Sequence, residues 1–66
     1  MSTLEFAKNL RAYMSANGLN ASKLAHMIGT NESTVRAWIS GKTMPTAYSL
    51  KLLSDATGVS ADWWLS

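Results

Sequence analysis

The sequence predicts an all-α fold of five helices, and three observations carry that prediction. Its four glycines, Gly18, Gly29, Gly41 and Gly58, each fall just past a stretch whose apolar residues recur at three- and four-residue steps. A side chain able to cap a helix N-terminus stands ahead of every such stretch: Ser2, Asn20, Asn31, Thr46 and Ser60. No segment alternates apolar and polar residues with the period of two that a half-buried strand needs, so no strand is predicted.

The first helix spans about residues 3–16, with Phe6, Leu10, Tyr13 and Met14 at helical spacing. Ser2-Thr3-Leu4-Glu5 fits a capping box, Ser2 bonding forward and the Glu5 side chain reaching back. Asn17-Gly18 closes it, and Leu19 is expected to tuck under the stop. The second helix spans 21–28 behind Asn20, with Leu24, Ala25 and Ile28 on one face. Gly29 follows where a helix end favours a positive φ, and Asn31 can cap the third helix, 32–40. Val35, Trp38 and Ile39 share one face of that helix, which closes at Gly41. Residues 42–45 form a loop whose Pro45 suits the run-in to a fourth helix, 47–57, with Leu50, Leu53 and Ala56 facing inward. Gly58 stops that helix, Val59 packs back, and a last short helix spans 61–65.

Composition bounds what such a chain can be. All 66 residues are expected to form one small domain, near the lower limit for folding without a metal or disulfide, and there is no cysteine to staple it. Three tryptophans and the leucine-rich fourth helix are therefore expected to supply most of the burial. No apolar run reaches membrane-spanning length and no signal-peptide pattern opens the chain, so a cytoplasmic location without membrane contact is the expectation. A net charge of +2 and a pI near 9.3 permit nucleic-acid binding without demanding it. Placement says more than the total, because Arg36 and Lys42 lie on or beside the third helix, whereas Lys8 and Arg11 on the first are expected to face solvent. The four acids, Glu5, Glu32, Asp55 and Asp62, are too scattered to pair, and no metal spacing, phosphate loop or dinucleotide fingerprint occurs. His26 lies four residues after Ser22, but no carboxylate is positioned to orient it, so it reads as a solvated surface histidine. An enzyme, a cofactor and a small-molecule substrate are not expected.

An eight-residue helix, a glycine turn and a nine-residue amphipathic helix make a helix-turn-helix, a unit used mostly to read the DNA major groove. The pattern extends over nearly the whole chain. It takes in Leu19-Asn20, Leu24-Ala25, Ile28-Gly29-Thr30-Asn31, Ser33-Thr34-Val35, Trp38, Gly41-Lys42, Pro45, Leu53 and Gly58-Val59-Ser60-Ala61-Asp62-Trp63. In that order and at those spacings the chain resembles the lambda-repressor and Cro-like (XRE-type) helix-turn-helix family, and within it a phage or prophage repressor or Cro. Two positions depart from the family's habit. Met14 and Ile39 stand where many relatives pair an arginine with a glutamate, an exchange that packed apolar residues tolerate. Glu32, Ser33 and Ala37 stand where glutamines often read bases, which bears on the target sequence rather than on the fold.

On a helical wheel Ser33, Arg36, Ala37 and Ser40 lie opposite the buried face, with Glu32 at the exposed N-terminal end. The expected base contacts are Glu32, Ser33, Arg36 and Ala37: an acceptor for a cytosine amino group, a versatile hydroxyl, a guanine fork, and a methyl for thymine. The expected phosphate contacts are Asn20 and Ser22 at the start of the second helix, with Asn31, Thr34, Ser40, Lys42 and Thr43 around the third. The resemblance also implies a two-fold homodimer on a pseudo-palindromic operator, and the apolar residues Leu52, Trp63, Trp64 and Leu65 are the candidates for that contact. Because Trp63 and Trp64 are adjacent on a short helix, at least one is expected to be partly exposed.

Two other functions share the fold. An antitoxin-type regulator would bind a toxin protein and its own promoter, but a chain of 66 residues leaves little surface for the toxin. A scaffold that binds only proteins would carry an apolar or acidic outer face on the third helix, where this sequence is small, polar or basic. The chain being the N-terminal domain of a longer repressor stays open, since nothing after Ser66 resembles a natural tail.

Overall fold

Residues 2–66 are described in a computed structural model. Five helices run in order, α1 (Thr3–Ala16), α2 (Ala21–Ile28), α3 (Glu32–Ile39), α4 (Ala47–Thr57) and α5 (Ala61–Leu65), with no strand among the described residues. The third ends one residue earlier than its sequence pattern, because Ser40 serves as its C-cap.

Every helix starts because a side-chain oxygen satisfies one of its free N–H groups. The N–H of Glu5 donates to Ser2 Oγ at 3.1 Å, that of Lys23 to Asn20 Oδ1 at 2.8 Å, and that of Thr34 to Asn31 Oδ1 at 2.9 Å. The Ser49 N–H donates to Thr46 Oγ1 at 3.1 Å and the Trp63 N–H to Ser60 Oγ at 3.2 Å. The capping box on α1 is one-sided: among the described residues the forward bond to Ser2 forms, and no return bond from the Glu5 carboxylate accompanies it.

Of the helix ends, Gly29 matters most, since it sets the turn between α2 and α3. At φ +82° it lets the N–H groups of Gly29 and Thr30 both reach Ala25 O, at 3.0 and 2.9 Å. Gly41, at φ +77°, carries a second constraint. A Cβ there would lie 2.8 Å from Leu4 Cδ2, so the glycine lets the start of α1 lie over the end of α3.

The core sits mainly among the first three helices. Phe6, Ala7, Leu10 and Met14 of α1 are buried with Ala21, Leu24, Ala25 and Ile28 of α2 and with Val35 and Trp38 of α3. Leu19 and Ile39 pack half-buried against this cluster, so the apolar pair Met14 and Ile39 does lie in or beside the core. The expectation that α4 and all three tryptophans would dominate the burial is overturned. Leu53 is the one fully buried residue of α4, while Trp63 stays 42% exposed. Ala56 is also exposed rather than inward: the inner position of the last turn falls to half-buried Thr57, whose hydroxyl donates to Leu53 O at 2.7 Å.

Trp64 closes the assembly. Its ring lies 5.4 Å from Tyr13 and 6.2 Å from Phe6, and Phe6 meets Trp38 edge-on at 6.1 Å. Asn9 of α1 then fastens the far end of α5, its amide nitrogen lying 3.4, 3.4 and 3.2 Å from the carbonyl oxygens of Trp63, Trp64 and Ser66.

Candidate nucleic-acid interface

Helix α3 is held from behind and left open in front. Val35 and Trp38 anchor it against α1 and α2, which turns Ser33, Arg36 and Ser40 to solvent and leaves Glu32 and Ala37 half-exposed. The four residues expected to meet bases therefore lie on one accessible side of one helix. Two of them also meet each other. Arg36 Nε donates to Glu32 Oε2 at 2.8 Å, and Nη2 donates to the same oxygen. The sequence contained the signal, an acid four residues ahead of an arginine on one helix face, although each residue was read there as a separate contact.

The turn is knitted around one atom. Asn31 Oδ1 accepts from the Thr34 N–H, from Thr34 Oγ1 at 2.8 Å and from Ser33 Oγ at 2.8 Å. Both hydroxyl hydrogens thus point into the cap, leaving the Ser33 and Thr34 oxygens as acceptors and Asn31 Nδ2 as the outward donor. At the other end Ser40 Oγ donates to Ala37 O at 3.1 Å, and the Lys42 and Thr43 N–H groups reach that same carbonyl at 2.9 and 3.4 Å. Lys42 and Thr43 are exposed there, as are Asn20 and Ser22 at the start of α2.

One positioning contact was not legible in the sequence. Arg11, expected simply to face solvent, donates from Nη1 to Ile39 O at 2.7 Å and so ties the end of α3 to α1. A cation on the last carbonyls of a helix satisfies an orphan acceptor and complements the dipole. Its acceptor is the backbone carbonyl of Ile39, and a backbone acceptor leaves no mark in the sequence.

The expected dimer residues do not stay together. Trp64 has no exposed surface and is a core residue, since its indole fills the gap between Phe6 and Tyr13. Trp63 and Leu65 remain accessible on α5, and Leu52 is half-buried on α4. Sequence reading passed over three further exposed apolar side chains, Leu4, Met27 and Tyr48. Among the described residues no cavity forms, no cluster of acids or histidine could hold a metal, and no helix is long and apolar enough to cross a membrane.

An asparagine-capped amphipathic helix, set by a glycine turn on a helix of equal length and carrying polar and basic groups outward, defines a helix-turn-helix DNA-binding domain. Comparison with known families agrees: the family model described as helix-turn-helix matches residues 10–64. The chain belongs to the lambda-repressor-like, XRE-type helix-turn-helix family of DNA-binding transcription regulators. No curated protein and no solved structure matches it.

Proposed function

We propose that the whole chain, 1–66, is one helix-turn-helix domain that binds double-stranded DNA sequence-specifically as a transcriptional repressor of prophage type, in the bacterial cytoplasm. In this reading α3 enters the major groove, with Glu32, Ser33, Arg36 and Ala37 at base edges. Asn20, Ser22, Asn31, Lys42 and Thr43 meet the flanking phosphates, while Thr34 and Ser40, whose hydroxyl hydrogens are bonded to Asn31 Oδ1 and Ala37 O, reach them only by turning those hydroxyls outward. A second copy binds through Trp63, Leu65 and Leu52, so that two recognition helices reach half-sites about one helical turn apart, roughly 34 Å. The observation that carries the reading is the outer side of α3: small, polar and basic groups on a helix whose other side is locked by Val35 and Trp38. That surface suits a groove lined with hydrogen-bonding base edges, and it lacks the apolar stripe a protein-binding helix would offer.

The test is an amide chemical-shift titration of the labelled protein with a short mixed-sequence duplex, at low and then moderate salt. Shifts are expected to gather on residues 20–22 and 31–43 and to fade steeply as salt rises, because phosphate contacts release counterions. Silence across α3 at low salt overturns the proposal.

A further inference from the structure

The geometry points to Glu32 as a positioning residue that turns Arg36 into a guanine reader and keeps it off the phosphates; this rests on the DNA-binding reading above. A guanidinium carries five N–H donors in a flat fork. Glu32 Oε2 takes the Nε–H and one Nη2–H, so the side edge of the fork is occupied. What remains is the end edge, with both hydrogens of Nη1 and one of Nη2 directed away from the carboxylate. Two parallel donors complement the O6 and N7 acceptors of guanine, whereas adenine offers one acceptor beside a donor. The pair sits on the exposed side of α3, with the Arg36 side chain 67% and the Glu32 side chain 42% accessible, so its free edge reaches solvent without any rearrangement.

Charge supplies the second half of the inference. An unpaired arginine is drawn to phosphate, which is where most arginine contacts to DNA go. The Glu32–Arg36 couple is neutral as a unit, and a carboxylate near a phosphate is repelled. Pairing therefore sacrifices sequence-independent attraction and preserves a fixed donor edge for a base. Glu32 Oε1 stays available to accept from a cytosine amino group beside that guanine. Ser33 and Thr34 do not compete with Arg36 for the Glu32 carboxylate, since their hydroxyl hydrogens are committed to Asn31 Oδ1.

The experiment first selects preferred duplexes from a pool with a randomised core, using the wild-type protein. Binding to the best duplex, to its single guanine-to-adenine variants and to a mixed-sequence duplex is then measured across a salt series. Four proteins enter: wild type, Glu32→Ala, Arg36→Ala and the double variant. In Glu32→Ala the mixed duplex is expected to bind more tightly, with a salt slope steeper by about one because one more phosphate is engaged. Guanine preference at one position should fall roughly tenfold in the same variant. In the Arg36→Ala background, adding Glu32→Ala should change guanine preference no further, since interacting groups are not additive. Additive losses, or an unchanged guanine preference in Glu32→Ala, overturn the positioning role while leaving DNA binding through α3 standing. No salt-sensitive binding by the wild type overturns both.

Discussion

Helices α1 to α3 and helices α4 to α5 are built to different standards. Among the described residues the first group contributes ten of the buried apolar side chains, and the second only Leu53 and Trp64. Among the described residues the second group also holds the two buried side-chain polar atoms without a protein partner, Ser54 Oγ and Trp64 Nε1, and its two helices expose Tyr48, Trp63 and Leu65, against Leu4 and Met27 on the three helices of the first. Dense packing behind α3 fixes a helix whose outer side must present polar groups at set angles. Looser packing around α4 and α5 leaves exposed the apolar surface through which a second copy is proposed to bind. The contrast separates residues that hold the fold from residues left exposed for the proposed pairing, and each half can be probed by single substitutions.

The widest separation is expected between two neighbours. Trp64→Ala should cost about 3–5 kcal/mol, since it empties the site between Phe6 and Tyr13. A domain of this size has only about 3–10 kcal/mol in total, so that variant should be largely unfolded by circular dichroism. Trp63→Ala, half-exposed, should cost under about 1 kcal/mol in the monomer and instead weaken self-association, which sedimentation would register. Equal thermal losses for both variants would erase the distinction between core and contact surface.

A smaller effect sharpens the same contrast at the helix starts. Asn31 receives three donors through one oxygen, while the structure gives Ser60 Oγ a single one, from the Trp63 N–H. Asn31→Ala should therefore destabilise by about 1–2 kcal/mol and Ser60→Ala by about 0.5–1 kcal/mol, as measured by urea unfolding. The smallest expected change has the opposite sign. Ser54→Ala removes an unpartnered hydroxyl and improves helix propensity, and should raise stability by about 0.5–1 kcal/mol.

What could be read in the sequence was what the chain decides locally. All five N-caps and all four glycine stops sit where residue type and spacing put them, because a cap satisfies donors two or three residues away. Depth of burial was less legible. Adjacent Trp63 and Trp64 had to diverge, but only the position of Phe6 and Tyr13 on α1 decides that Trp64 turns in. Ala56 and Thr57 follow Leu53 by three and four residues, and the choice between them depends on how α4 lies on its neighbours. Arg11 and Asn9 were out of reach for a different reason: both bond to backbone carbonyls far along the chain. Carbonyls are the same at every residue, so no side-chain pattern announces them. In the candidate interface, the outward set on α3 followed from helical periodicity, while the Glu32–Arg36 bond needed the two spacings to be read together.

The aromatic run through the core has an optical consequence. Trp38, buried on the inner side of α3, should emit toward the blue and resist iodide quenching, whereas half-exposed Trp63 should emit toward the red and quench readily. Trp64 lies 5.0 Å from Trp63, close enough to exchange excitation with it. The chain therefore contains two intrinsic fluorophores in useful places, one on the inner side of α3 and one on the exposed side of α5. DNA binding through α3 and the proposed pairing of subunits should register as separate spectral changes in unlabelled protein.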